Sequence, residues 1–183
     1  RPGARGPAAR ETVMLVRLCK AVLLLGLSLF AFLVTFNNIT DYDSNFQFVR
    51  HVLSMDTTFE GNAAMWRAIT NERAWHAAYW ALIAAEGATF LLLFAGGLRL
   101  LAARSAPAAE FHAAKGLAFA GATLGFLVWF VGFMAVGGEW FLMWQSEAWN
   151  GQQAAFRFYV SILLVMVLVM QRDDELPGLA GRV

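Results

Sequence analysis

Glu86 is the residue whose surroundings most constrain its chemistry, because Ala84, Ala85 and Gly87 flank it near the middle of a long apolar run. Deep in a bilayer a carboxylate costs on the order of 2.5–3.5 kcal/mol by insertion scales, unless it is protonated, paired or facing water. It is therefore expected to point into the protein. Thr89 shares its neighbourhood on a helix, and Ser28, Thr123 and Ser161 on other apolar runs are candidate hydrogen-bond donors. With no intramembrane cation in reach the neutral acid is favoured, and two roles stay open for Glu86: a proton-exchanging or quinone-adjacent carboxyl, or a protonated acid that hydrogen-bonds between helices and fixes a bundle.

A second polar set is denser. Asn37, Asn38, Thr40, Asp41, Tyr42 and Asn45 follow the first apolar run, and Trp144, Gln145, Trp149, Asn150, Gly151, Gln152 and Arg157 precede the last. Arg157 lies just inside that last run and calls for a counter-charge, for which Asp41, Asp43, Glu139 and Glu147 are candidates. Asn38, Asp41, Trp149, Asn150, Gln152 and Arg157 are thus expected to form a network tying two loops together; an anion or headgroup site is the alternative. Of the three histidines, only His51 and His76 could meet, and a bis-imidazole haem would need both at one depth. The acids Asp41, Asp43, Asp56 and Glu60 lack the ordered spacing of a calcium loop. No phosphate-binding glycine loop, nucleophile elbow or zinc motif occurs. No catalytic residue, cofactor or metal is expected.

The elements that must position these groups are set by composition. Hydrophobic residues make up 59% of the 183 positions and charged ones 15%, against roughly 45–50% and about 25% in soluble domains. A spanning helix needs about 20 mainly apolar residues. Four runs meet that length, at about 13–36, 75–98, 116–136 and 154–170. The fold expected is an all-α integral membrane protein, a bundle of four transmembrane helices in one domain. The arginine-rich start could open a signal peptide, but the apolar stretch after it exceeds a signal's core of about 7–15 residues, so an uncleaved helix is expected.

Basic residues orient the bundle. Arg1, Arg5, Arg10, Arg17, Lys20, Arg99, Arg104, Lys115, Arg172 and Arg182 fall on one side, Arg50, Arg67, Arg73 and Arg157 on the other. By the positive-inside rule both termini are expected to be cytoplasmic, with Arg17 and Lys20 snorkelling to headgroups. Outer loops then cover 37–74 and 137–153, and the inner loop 99–115. Trp75, Tyr79, Trp80, Trp140, Trp144, Trp149 and Tyr159 give the outer side an aromatic belt. In the first outer loop, Ser44 and Asn62 are capping candidates for two short helices, lying either on the membrane surface or on the bundle. Gly121, Gly125 and Gly132 offer a small-residue face for close helix packing, inside the chain or with another subunit. The single cysteine, Cys19, excludes an internal disulfide.

The string NNITDYDSNFQFVRHVLSMDTTF (37–59), the segment Trp66-Arg67-Ala68-Ile69, and Trp149-Asn150-Gly151-Gln152 leading to Phe156-Arg157 resemble the bacterial domain-of-unknown-function family 2165. The resemblance covers the chain from the first span through the fourth. It implies four spans and a bacterial inner membrane, and brings no activity or catalytic residue. With few candidate ligands, the function expected is a non-catalytic accessory or structural subunit, packed among membrane lipids and other integral membrane subunits of a respiratory or photosynthetic complex. Nucleic acid is not expected as a partner. A small transporter or ion-conducting oligomer using Glu86, and a quinone- or lipid-binding protein, are the alternatives.

Overall fold

A computed structural model describes residues 7–177, and all regular structure among them is helical. Helix α1 (Pro7–Thr40) opens on a proline, whose missing N–H costs nothing in a first turn. After a single turn residue, α2 (Tyr42–Ser54) follows and ends on Met55, which adopts a left-handed conformation at φ 55°. The α3 helix (Glu72–Ala102) is capped by Asn71, whose side chain accepts from the backbone of Arg73 and Ala74 at 2.9 and 3.4 Å. Pro107 precedes the short α4 (Ala108–Ala113). From α5 (Gly116–Phe126) the chain runs unbroken into a π-helix, Leu127–Trp140, and then α6 (Gln152–Met170) returns.

Four of these helices are long and apolar enough to cross a membrane: α1, α3, the α4–α5–π run and α6. They alternate in direction, up and down. Arg17 lies beside Arg104 and Ala106, Leu25 beside Gly97, Thr35 beside Gly87, and Asn38 beside Glu86, so α1 and α3 are antiparallel along their length. Since α1 ends just after Asn38 whereas α3 starts at Glu72, α3 overhangs α1 by about three turns. The amphipathic α2 packs onto that overhang, with Phe46 stacked on His76 at 4.1 Å and buried beside Tyr79. Of the two placements open to it, α2 takes the bundle. It begins at Tyr42 with Asp41 at the cap position, not at Ser44. The second expected loop helix is one 3₁₀ turn, Met65–Arg67; the Asn62 side chain accepts from Ala64 N at 2.8 Å, but no apolar neighbour buries a longer helix there, and Trp66 is exposed.

The core runs down the bundle through Leu24, Leu93, Ala118, Ala122, Trp129, Ile162 and Met166. Close approach depends on glycine at two interfaces. A Cβ on Gly96 would meet the Ala118 backbone at 2.8 Å, and one on Gly121 the Leu93 backbone at 2.9 Å. A Cβ on Gly125 would meet Ile162 and Thr89 at 2.9 and 3.1 Å. These small faces are thus filled from within the chain. Gly132 is a correction: a Cβ there would meet only Leu127 O of its own helix, at 3.9 Å, so it makes no close helix contact. Outward, Leu15, Leu29, Leu91, Phe119, Leu164 and Val167 are exposed, as lipid-facing side chains are.

The end of the bundle that carries both termini differs from expectation. Arg17 and Lys20 do not snorkel outward; both are buried, because the segment after α6 folds back beneath the bundle and supplies their acceptors. Arg17 donates to the carbonyls of Arg104, Ala106 and Asp174. Lys20 and Lys115 each donate to Gln171 O at 2.8 Å and share the Asp173 carboxylate, at 2.8 and 2.6 Å. Leu176 is buried behind them. Arg1, Arg5 and Arg182, three of the basic residues that orient the bundle, lie outside the described residues.

Candidate functional site

The helical hydrogen-bond pattern decides what reaches Glu86. Because α1 continues past the expected end of its span, Asn38 sits on its last turn and is not a loop residue. Its Nδ2 donates to Glu86 Oε2 at 2.6 Å, both groups being buried. Tyr79, two turns before Glu86 on α3, donates its hydroxyl to the Asn38 carbonyl at 3.0 Å. Of the other expected donors, Ser28 bonds Leu25 O and Ser161 bonds Arg157 O, while Thr123 is exposed on its helix. Thr89 also turns away, donating to Ala85 O at 2.8 Å while its methyl packs near Gly125. A carboxyl among apolar neighbours thereby gains a neutral partner in place of a cation.

Glu86 and Asn38 stand at the wall of a cavity of about 210 Å³. Its sides are Val34 of α1, Leu82 of α3, Trp129 and Phe133 of the π-helix, and Phe158 of α6; Asn45, Phe48 and Val49 of α2 also line it. Ala154, at the start of α6, is exposed at its rim. A second, wholly apolar cavity of about 120 Å³ shares Phe48, Val49, Leu82 and Phe133 with the first and extends to Val136, Phe141 and Met143. Gly132 and Gly137 line it. The π-helix makes this room, since an i→i+5 helix is wider than an α-helix and such turns recur where a helix wall must be reshaped. Below the Glu86 level the core residues Leu24, Leu93, Ala122, Ile162 and Met166 are buried together, so these two cavities are confined to one half of the bundle.

The expected loop network is only partly assembled. Arg157 is exposed and makes no ion pair with Asp41, Asp43, Glu139 or Glu147 among the described residues; in the second turn of α6 its side chain projects outward, where solvent or headgroups can solvate it. Asp41 caps α2 by position, without a side-chain bond, and its carbonyl accepts from Asn45. Asn150 Oδ1 accepts from Gln152 N at 3.1 Å and so starts α6. The Gln152 side chain fills the space over Gly138. Trp149 stacks on His51, which holds Asp56 at 2.8 Å. Other residues join the loops: Thr57 donates to Ser146, Asn62 to Gln145, and Arg67 to the Trp140 carbonyl while lying over the Trp66 and Trp140 rings. His76 bonds Tyr42 instead of facing His51.

Sequence reasoning missed the pairing of Asn38 with Glu86, and the available signal was length: the helical run continues through Asn37 and Asn38 without a breaker. The described fold and site are those of a small four-helix integral membrane protein with a polar pair set in an aromatic cavity. The chain belongs to the domain-of-unknown-function family 2165, described as predicted small integral membrane proteins, whose model matches residues 16–172. No curated protein and no solved structure matches the chain.

Proposed function

We propose that the protein is a membrane-embedded binding module that takes one small amphipathic molecule from the lipid phase into the cavity beside Glu86. The observation that carries this reading is the Glu86–Asn38 pair in the wall of an otherwise apolar, aromatic cavity. Binding sites for small molecules combine such walls with a few convergent polar groups. The adjoining apolar cavity offers room for a tail.

The packed core beneath Glu86 supports one-sided binding over conduction across the bundle. An accessory subunit would draw on small-residue faces for its partners, but Gly96, Gly97, Gly121 and Gly125 are filled by the chain's own helices. The basic flanks of the terminal end support a bacterial inner-membrane protein with that end cytoplasmic and the cavity in the outer half.

Native mass spectrometry of the protein released from mild detergent tests the reading. Wild type is expected to carry one small amphipathic molecule per chain, and Ala154→Trp, which plugs the exposed rim, to lose it. Equal retention by both, or none in wild type, would refute the proposal.

A further inference from the structure

We infer that the cavity selects a head group that is polar and carries no negative charge, such as a hydroxyl or an amine on an apolar body. This rests on the cavity being the binding site proposed above. The polar groups of its wall include neutral amides, one phenol and one carboxyl, and part of their hydrogen-bonding capacity is already used within the wall. Tyr79 gives its hydroxyl proton to the Asn38 carbonyl, Asn38 Nδ2 donates to Glu86 Oε2, and Asn45 Nδ2 donates to Asp41 O. What remains towards the cavity is mixed: Glu86 Oε1 and the side-chain carbonyl oxygens of Asn38 and Asn45 accept nothing from the described residues, and each of the two amides keeps a second N–H.

No lysine, arginine or histidine lines either cavity. Arg157, next to the lining residue Phe158, is exposed and does not line the cavity, while Arg50 lies over the Trp75 ring and Arg67 over Trp66 and Trp140. A phosphate, sulfonate or carboxylate head would thus be desolvated beside Glu86 without a counter-charge, which is the costly arrangement. A hydroxyl supplies one donor and an ammonium three, and the latter also pairs with the Glu86 carboxylate.

Photolabelling distinguishes these classes. Three probes with one tail bearing a diazirine and with hydroxyl, primary-amine or sulfonate heads are incubated with the full chain in lipid nanodiscs, and labelled peptides are mapped. The hydroxyl and amine probes are expected to label the cavity segments 45–49, 129–133 and 154–158 at least about tenfold more than the sulfonate, the ratio of one lost charge-assisted bond. In Glu86→Gln the preference of amine over sulfonate is expected to shrink. Equal or stronger labelling of these segments by the sulfonate would overturn the inference while leaving the binding site standing. Failure of every probe to label them would overturn the site and the inference together.

Discussion

At the scale of single residues, Glu86 is held by an amide and not by a charge. Asn38 is its partner at 2.6 Å, and Tyr79 holds the main-chain carbonyl of Asn38, so three residues from two helices are linked. Removing the donor should harm the fold more than softening the acceptor. Asn38→Leu leaves the buried Glu86 carboxyl without a partner and is expected to cost about 1–3 kcal/mol, whereas Glu86→Gln keeps a group that can accept from Asn38 and should cost less. Thermal unfolding of both variants in the same detergent checks the order; a smaller loss for Asn38→Leu would contradict it. Glu86 was legible as an inward-facing group from its apolar neighbours alone. Its partner was not, because a helix end is set by which backbone groups find tertiary shelter, and the asparagines after the apolar run read equally well as the start of a loop.

At the scale of elements, the glycines separate into two kinds that look alike in sequence. Gly96 and Gly121 admit backbone from the facing helix, so added methyls there collide with main chain that cannot move aside. Gly132 faces open space in the π-helix wall. Gly96→Ala is therefore expected to destabilise by about 1–3 kcal/mol, while Gly132→Ala should be neutral or slightly stabilising by reducing backbone freedom. Comparison of the two melting temperatures tests this; a loss at Gly132 as large as at Gly96 would argue that the wide helix needs that glycine for its own geometry. Four-residue spacing pointed to Gly121 and Gly125 correctly as a close-packing pair. It misled at Gly132, since the switch from α to π winding rotates every later residue off the face that 3.6 residues per turn assigns it.

Over the whole molecule, the two ends are fastened differently. The loop end is tied by aromatic stacking, hydrogen bonds between uncharged side chains and the Arg67 contacts, the terminal end by three buried cations gathered on the returning segment after α6. Burial opposes ionisation of Asp173, but hydrogen bonds from Lys115 and Lys20 and their charges outweigh it and hold its carboxyl below the usual carboxylate range. A carboxyl depressed in the folded state stabilises fully above its unfolded pKa, near 4, and that contribution disappears as pH falls through the folded value. Asp173→Asn is expected to cost about 3–5 kcal/mol at neutral pH, because it strands two buried ammonium groups. Its melting temperature should also fall less steeply with acid than that of wild type. Parallel pH profiles would show that the latch draws nothing from the Asp173 charge.

Hydropathy and length, which act locally along the chain, were enough to establish four spans, their alternating direction and an inward carboxyl, since lipid imposes the same demand on every residue of a span. Contacts between distant segments were needed for the rest: that Asn38 completes Glu86, that α2 roofs a cavity, and that Arg17 and Lys20 turn inward. Those outcomes depend on which donors and acceptors the folded chain brings within hydrogen-bond reach, and residues such as Lys20 and Asp173, 153 positions apart, meet only once the helices have packed.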